Sequence, residues 1–188
     1  MGTTVVLLSG GLDSAVCLLG AARSGHAAGC VFVDWGQPSR VEEAAAAARI
    51  ASRACVELVT VRAGFPVGPM HVQPGASGAR VVIGRNLTFL ALASSWCGYF
   101  GASDVTIGCS GADSAAYPDC RLPWIRRASD LSRVVYGITY TAPLATLDRA
   151  GVRAIGASLG IGPSDVWSCY APRDGAPCGS CNSCRQDK

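Results

Sequence analysis

Ser9-Gly10-Gly11-Leu12-Asp13-Ser14 follows the apolar run Val5-Val6-Leu7-Leu8. A strand that ends in Ser-Gly-Gly and restarts as a helix makes a bed for a polyphosphate. Two glycines let the backbone turn tightly and bring bare N–H groups close to an anion. The helix N-terminus adds its partial positive charge. Ser9 and Ser14 supply hydroxyl donors. Asp13 suits a helix start and can reach a bridging Mg²⁺. No Gly-Lys-Ser/Thr follows, so this is not a Walker loop. The plain alternative is a Gly-Gly turn with Asp as helix cap; the strand-to-helix context favours the phosphate loop.

A second cluster of reactive side chains closes the chain. Cys178-Gly-Ser-Cys181-Asn-Ser-Cys184 spaces three thiols three residues apart, and Cys169 lies nine positions earlier. Four thiolates satisfy a tetrahedral Zn²⁺, and each C-x₂-C knuckle bends two sulfurs onto one ion. An Fe–S cluster is the main rival, and redox or free thiols are the remaining reading. The site is expected to be closed and structural, stapling the tail to the body. Cys17, Cys30, Cys55, Cys97 and Cys109 stand singly and are expected to be small core residues. Cys120 is set apart by its polar neighbours.

The elements that must position these groups alternate. Strands are predicted at Val5–Ser9, Cys30–Asp34 and Val56–Val61, and helices at Asp13–Arg23 and Val41–Arg53. This βαβαβ rhythm predicts an α/β fold, a parallel sheet covered by helices, with ligands at the carboxyl ends of its strands. Ser9–Gly11 and Asp34 fall at such ends. Arg62–Ala79 breaks the rhythm and reads as a loop or lid. Leu87–Phe100 is predicted as one buried apolar helix and Asp104–Gly108 as a strand. A helix at Pro123–Val134, a strand at Ile138–Thr141 and a helix at Leu147–Leu159 complete the pattern. One domain is expected over residues 1–188, with a core to 165 and a metal-bound tail at 166–188.

Composition narrows the chemistry. The 188 residues carry a net charge of +3, too little to argue for nucleic acid or membrane binding. Fifteen Arg stand against a single Lys, Lys188, so lysine chemistry is nearly excluded and a phosphate clamp must be Arg or backbone. Two histidines exclude a multi-His metal site. No secretory signal, myristoylation motif or membrane span is recognised. A cytoplasmic setting is expected, where ten cysteines point to metal or catalysis rather than disulfides.

Several segments together resemble the 7-cyano-7-deazaguanine synthase (QueC) family, a branch of the ATP-pyrophosphatases with the SGGxDS loop. They are Leu8–Ser14, Asp34-Trp-Gly-Gln37, Gly84-Arg-Asn86, Tyr117-Pro-Asp-Cys-Arg121, Pro143-Leu144, and Trp167-Ser-Cys-Tyr170 with the three-Cys run. The Tyr-Pro-Asp-Cys-Arg segment and the tail are the specific ones. The resemblance implies a Rossmann-like sheet of the adenine nucleotide alpha hydrolase type. It implies conversion of 7-carboxy-7-deazaguanine to the nitrile with ATP, Mg²⁺ and ammonia, by way of an adenylate and an amide.

The resemblance also implies residue roles. Leu8, Ser9, Gly10, Gly11, Asp13 and Ser14 would hold ATP and its metal. Asp34 would contact the nucleoside, and Arg149 would stand in for a family Lys. Arg85, Asn86, Asp113, Tyr117, Asp119 and Arg121 would line the substrate site. There Asp119 accepts from the guanidine-like edge and Arg121 holds the substrate carboxylate. Asp13, Arg85, Asp119 and Arg121 are the implied catalytic set, and Cys169, Cys178, Cys181 and Cys184 the structural Zn²⁺ ligands. The plain alternatives are a helix cap for Asn86, a loop salt bridge for Asp119–Arg121, a turn residue for Asp34 and a solvated helix position for Arg149.

Three departures stand out: Pro38-Ser39 where the family has Arg-His, Ser110 where it has Asn, and Ile83-Gly84 where it has Pro. Pro38-Ser39 and Ser110 motivate a second reading, a diverged relative that stops at the amide or gives the acyl group to another amine, such as one on a protein. A non-catalytic nucleotide-binding module and a tRNA-modifying ligase are weaker readings. A homodimer is compatible with the small size and the apolar helix.

Overall fold

The computed structural model describes residues 2–65, 72–74 and 80–186. Its central sheet has five parallel strands: β1 (Thr4–Leu7), β2 (Ala27–Asp34), β3 (Leu58–Arg62), β6 (Asp104–Ile107) and β7 (Thr139–Thr141). Their order is β3-β2-β1-β6-β7. The chain moves outward from β1 to β3, then returns to the other side of β1. The strand order therefore reverses at β1/β6, and the crevice at that switch point is where such sheets bind ligands.

The expected doubly wound fold is what forms. β1 is buried on both faces, and its side chains alternate between two cores with the period of a strand. Val6 and Leu8 join Cys30 and Phe32 beneath α1 (Leu12–Arg23), α2 (Arg40–Ala54) and α7 (Arg149–Ser158). Val5 and Leu7 join Val31, Val33 and Val105 beneath α3 (Arg85–Ser94), α4 (Cys97–Phe100) and α6 (Leu122–Tyr136). A buried strand of this type reads as a continuous apolar run, which is why β1 was legible. Among the described residues no helix is long and apolar enough to cross a membrane.

Several local expectations need correction. The apolar stretch from residue 87 to 100 is two helices, because the turn at Ser95-Trp96 interrupts it. Leu87 and Tyr99 are exposed rather than buried. Cys55 is an exposed left-handed cap on α2 (φ 54°), not a core residue. Most of the expected loop at 62–79 lies outside the described residues. Within it Val72–Pro74 is a strand, β4, paired antiparallel with β5 (Arg80–Val82). Two further elements carried no periodic signal: α5 (Gly111–Ala116), with a 3₁₀ turn after it at Pro118–Cys120, and α8 (Asn182–Gln186).

Candidate active site and metal centre

The phosphate loop leaves β1 at the switch point. Gly10 has φ +82°, a conformation open to glycine, and a Cβ there would lie 2.4 Å from the Glu43 carbonyl oxygen on α2. The loop is cross-braced by its own serines. Ser14 Oγ accepts from the Ser9 N–H (3.2 Å), lies 3.1 Å from Ser9 Oγ and donates to the Gly11 carbonyl (3.0 Å). Gly11 is the N-cap of α1 and offers no side chain, so the first-turn N–H groups face the crevice uncapped. Leu8 is a core residue, which leaves only its backbone for a ligand. Just past the end of β6, a Cβ at Gly108 would lie 2.7 Å from the Ser14 nitrogen, so the segment leaving β6 packs directly on the start of α1.

Behind the loop the structure brings two carboxylates and a guanidinium together. Arg149 Nη1 donates to Asp13 Oδ1 at 3.1 Å, with both side chains largely shielded. Asp113, on α5, is close enough for its charge to act on Asp13. Its Oδ2 accepts from the N–H (2.9 Å) and hydroxyl (2.8 Å) of buried Ser110. Burial pushes the Asp13 carboxyl above its ordinary value, Asp113 pushes it further, and Arg149 only partly offsets them. A groove of about 610 Å³ lined by Ala112, Arg149, Ala150 and Arg153 opens beside this cluster.

At the end of β2, Asp34 Oδ1 accepts from the Gly36 N–H (3.1 Å) and shapes the turn. Buried Gln37 and Ser39 then donate to Glu43, at 2.8 Å and 2.7 Å. Thus Ser39, one of the departures from the family pattern, is absorbed by Glu43. Burial raises the Glu43 carboxyl, against the lowering effect of these two donors and of Arg85. Glu43 had been an unremarked residue of a polar helix; the four-residue step from Ser39 was the available signal.

Arg85 is the hub of the third cluster. Its guanidinium lies 5.9 Å from the ring centroids of both Trp35 and Phe89, a cation–π position. Phe65 packs edge-on between the same two rings. The N–H groups of Asp119 and Asn86 help to hold the Asp119 carboxyl down. Burial raises its carboxyl and Arg85 pulls it back. Burial likewise raises the Tyr117 phenol, again against Arg85. The Asn86 side chain turns inward and donates to Cys120 Sγ at 3.6 Å. Cys120 is buried, and its nearness, with burial, holds the Cys109 thiol far up. Arg121 is exposed at the rim, its Nε donating to the Ser114 carbonyl at 2.9 Å. The guanidinium that acts on Asp119 and Tyr117 is that of Arg85.

The four tail cysteines converge: all four Sγ atoms lie within 4.8 Å of one another. Backbone N–H groups point at the sulfurs, Cys178 to Cys169 (3.2 Å), Cys181 to Cys178 (3.3 Å) and Cys184 to Cys181 (3.5 Å). The N–H groups of Ser180 and Cys181 pull the Cys178 thiol down to about 6. Burial raises Cys181, but N–H donors from Cys184 and Tyr170 outweigh it. Such donors favour thiolates, the form that binds a metal. The tail is tied to the phosphate loop, since Trp167 N–H donates to the Gly10 carbonyl at 2.8 Å. Trp167 and Tyr170 carried the family resemblance in the sequence without an assigned place in the site.

Two solved structures share the fold. The U34-tRNA thiolase NcsA from Methanococcus maripaludis, with its [4Fe-4S] cluster, aligns over 99% of this chain at TM-score 0.60 and 13% identity; this chain spans 63% of that one. NMN synthetase from Francisella tularensis aligns over 94% of this chain and 70% of its own at TM-score 0.57 and 16% identity. At these identities the likeness is one of fold, the parallel five-stranded sheet with helices on both faces.

Sequence comparison is more specific. A family model described as "Queuosine biosynthesis protein QueC" matches residues 3–68 and 63–188. A 7-cyano-7-deazaguanine synthase of Novosphingobium aromaticivorans is 36% identical over 96% of this chain and 86% of its own length. Those of Anaeromyxobacter sp. and Methylococcus capsulatus are 37% and 36% identical over 96% and 98% of this chain, and 87% and 92% of their own lengths. The chain belongs to the QueC family.

Proposed function

We propose that this chain is a 7-cyano-7-deazaguanine synthase, making the nitrile from 7-carboxy-7-deazaguanine, ATP and ammonia. One observation carries the reading: in a QueC-family chain, the phosphate loop at Ser9–Ser14 and the Arg85–Asp119–Tyr117 cluster occupy one end of one sheet.

A carboxylate is a poor electrophile, and adenylation gives it a leaving group. A substrate carboxylate oxygen attacks the α-phosphorus of ATP, and the bond to pyrophosphate breaks. Ammonia adds to the acyl carbon of the adenylate, loses a proton and expels AMP, giving the amide. The amide oxygen attacks a second ATP in the same way. The nitrogen then gives up its two protons as AMP leaves, and the nitrile remains.

Charge gathers on pyrophosphate in both activations. The N–H groups of the Gly10-Gly11 loop, with Ser9 and Ser14, meet that charge without reorganising. Asp13 and Asp113 would hold Mg²⁺, whose charge supplies what this carboxylate pair lacks. Arg149 fixes Asp13, and Asp34 faces the nucleoside. Asp119 accepts from the guanidine-like N–H edge of the base. Arg85 meets the substrate carboxylate, and Arg121 adds positive charge at the rim.

Cys169, Cys178, Cys181 and Cys184 would hold a structural Zn²⁺. Bonds of about 2.3 Å to one ion set four sulfurs about 3.8 Å apart. An Fe–S cluster, with irons and sulfides between them, spreads its ligands wider. The tight convergence of these sulfurs supports a single ion.

The test is incubation with ATP, ammonium and 7-carboxy-7-deazaguanine, followed by product mass. The expected result is the nitrile with two AMP and two pyrophosphate per turnover. Absence of acid-dependent pyrophosphate release overturns the reading.

A further inference from the structure

We propose that Gln37 is a positioning residue for the substrate acid: its buried amide fixes the turn that carries Trp35, and Trp35 in turn fixes the Arg85 guanidinium. This rests on the synthase reading, in which Arg85 meets the substrate carboxylate, and adds to it the residues that hold that cation in place.

The turn leaves β2 at Asp34 and enters α2 at Arg40. Its residues are held by different partners. Asp34 is pinned to the sheet: its carbonyl accepts from the Ala63 N–H at 2.9 Å, and its Oδ1 accepts from the Gly36 N–H at 3.1 Å. Trp35 lies one residue beyond the last paired position of β2. Its backbone N–H donates instead to Gln37 Oε1 at 2.9 Å.

Gln37 is 4% exposed and is itself tightly held. Its Nε2 donates to Glu43 Oε2 at 2.8 Å and to the Val33 carbonyl at 3.4 Å. The amide can face only one way, because the Trp35 N–H needs an acceptor and the Glu43 carboxylate needs a donor. The other oxygen of Glu43 accepts from Ser39 Oγ at 2.7 Å. Ser39, which stands where the family has His, thus completes the donors of the carboxylate that orients Gln37. The network begins on the first turn of α2 and closes on the backbone of Trp35.

Trp35 passes this order to the cation. Arg85 Cζ lies 5.9 Å from the centroid of the Trp35 ring and 5.9 Å from that of Phe89. Phe89 stands one turn along α3 from Arg85 and moves with it. Trp35 belongs to the end of the sheet and supplies the fixed wall. A guanidinium on a long side chain has many rotamers, and a two-toothed grip on a carboxylate needs one of them. Two rings select it before the acid arrives, so less freedom is lost on binding.

The closing experiment uses the full chain and separates the two substrates. Gln37→Met keeps the bulk and removes both ends of the amide. The expected result is a KM for the deazaguanine acid about two- to fivefold higher, the worth of one partly exposed cation–π contact. The KM for ATP and kcat stay unchanged, since Asp34 and the phosphate loop are held independently of Gln37. In an Arg85→Ala background, Gln37→Met raises the acid KM no further, because both changes act through one guanidinium. Glu43→Gln is the rescue variant: its amide can offer oxygen to Gln37 and N–H to the Ser39 hydroxyl, and it keeps the wild-type acid KM. NMR of the ligand-free protein reads the same order directly. Ring currents of Trp35 and Phe89 move the Arg85 side-chain protons upfield in wild type and in Glu43→Gln, and that shift collapses in Gln37→Met.

An unchanged acid KM or unchanged Arg85 proton shifts in Gln37→Met overturn the inference. So does a rise that affects both KM values together or persists in the Arg85→Ala background, since it would make Gln37 a purely structural residue. If Gln37→Met does not fold, Trp35→Leu, which leaves the Gln37–Glu43 network in place, takes over: it gives the same selective rise in acid KM, and an unchanged value overturns the inference. Wild type that neither binds nor consumes the acid defeats the synthase reading itself, and the Arg85 proton shifts then still decide whether Gln37 holds the guanidinium.

Discussion

Arg149 and Asp13 stand 136 positions apart in sequence and meet at 3.1 Å, Nη1 to Oδ1, directly behind the phosphate loop. The pair joins the start of α7 to the first turn of α1, and so ties the two ends of the sheet's connectivity at the point where ATP would bind. Removing the guanidinium leaves Asp13 beside Asp113 with no counter-charge. Arg149→Ala is expected to cut acid-dependent pyrophosphate release about a hundredfold. Arg149→Lys restores the charge without the fork and is expected to fall about tenfold, the worth of about 1.5 kcal/mol for one charge-assisted bond. Steady-state pyrophosphate release measures both; equal activity of all three proteins would count against the placement.

Asp13 also predicts a pH dependence of stability. Its folded-state pKa is raised above 3.8, chiefly by burial and then by Asp113. Between the ordinary value and the raised one, the folded protein keeps a proton that the unfolded chain has released. The stability this group contributes is whole at acid pH and is lost as pH rises through the folded pKa. Asp13→Asn, without nucleotide or metal, is therefore expected to melt higher than wild type, by a margin that grows from about pH 4 upward. Thermal melts of the two proteins across pH decide it, and a margin that shrinks with pH refutes it.

Gly10 tolerates no side chain. Gly10→Ala must adopt a left-handed backbone, costing about 1–2 kcal/mol, and must also push its methyl against the Glu43 carbonyl. A lower Tm and loss of ATP binding are expected together. Gly108→Ala strikes the backbone of Ser14 from just past the end of β6 and should resemble it. Calorimetric titration with ATP checks both; ATP affinity unchanged in either would show that the loop has slack it is not expected to have.

Chelation should act on the tail first. Stripping the metal from the native protein is expected to release four thiols to a colorimetric thiol reagent and lower the Tm. Cys169→Ser should do the same without chelator. A chelated protein with unchanged thiol count and Tm would mean that the cysteines hold no ion.

Alkylation sorts the other cysteines. Burial pushes the Cys17 and Cys30 thiols up to about 12 and the Cys97 thiol to about 11, and all three are enclosed. Cys55 is exposed. Peptide mapping after brief iodoacetamide treatment of metal-loaded protein should find Cys55 modified first. Early modification of Cys17 or Cys30 would contradict the packing of α1 and β2.

What could be read from the residues alone depended on how local its cause was. The phosphate loop and the cysteine knuckles are set by neighbours in sequence, and both lie where expected. The apolar run of β1 announced a strand buried on both faces. The break at Ser95-Trp96 left no Gly or Pro to mark it, so α3 and α4 looked like one helix. α5 is too short for a periodic signal and is held by Ser110 and Asp113. The resemblance names both Arg121 and Arg85; Arg121 adjoins Asp119 in the chain, whereas Arg85 acts on Asp119 from 34 positions upstream. Glu43 takes its donors from Gln37 and Ser39, so the four-residue step from Ser39 is the signal that marks it.

The bond from Trp167 N–H to the Gly10 carbonyl sets a schedule for the protein's birth. The ATP loop leaves the ribosome about 157 residues ahead of Trp167, and its brace is made only after Trp167 emerges. At about 5–20 residues per second, that is a wait of roughly ten to thirty seconds. β1 waits as well, because its neighbour β6 begins at Asp104. A nascent chain therefore carries an open, glycine-rich loop beside a strand that has only β2 for a partner until β6 emerges. It gains a finished nucleotide site only when the segment leading into the metal centre arrives.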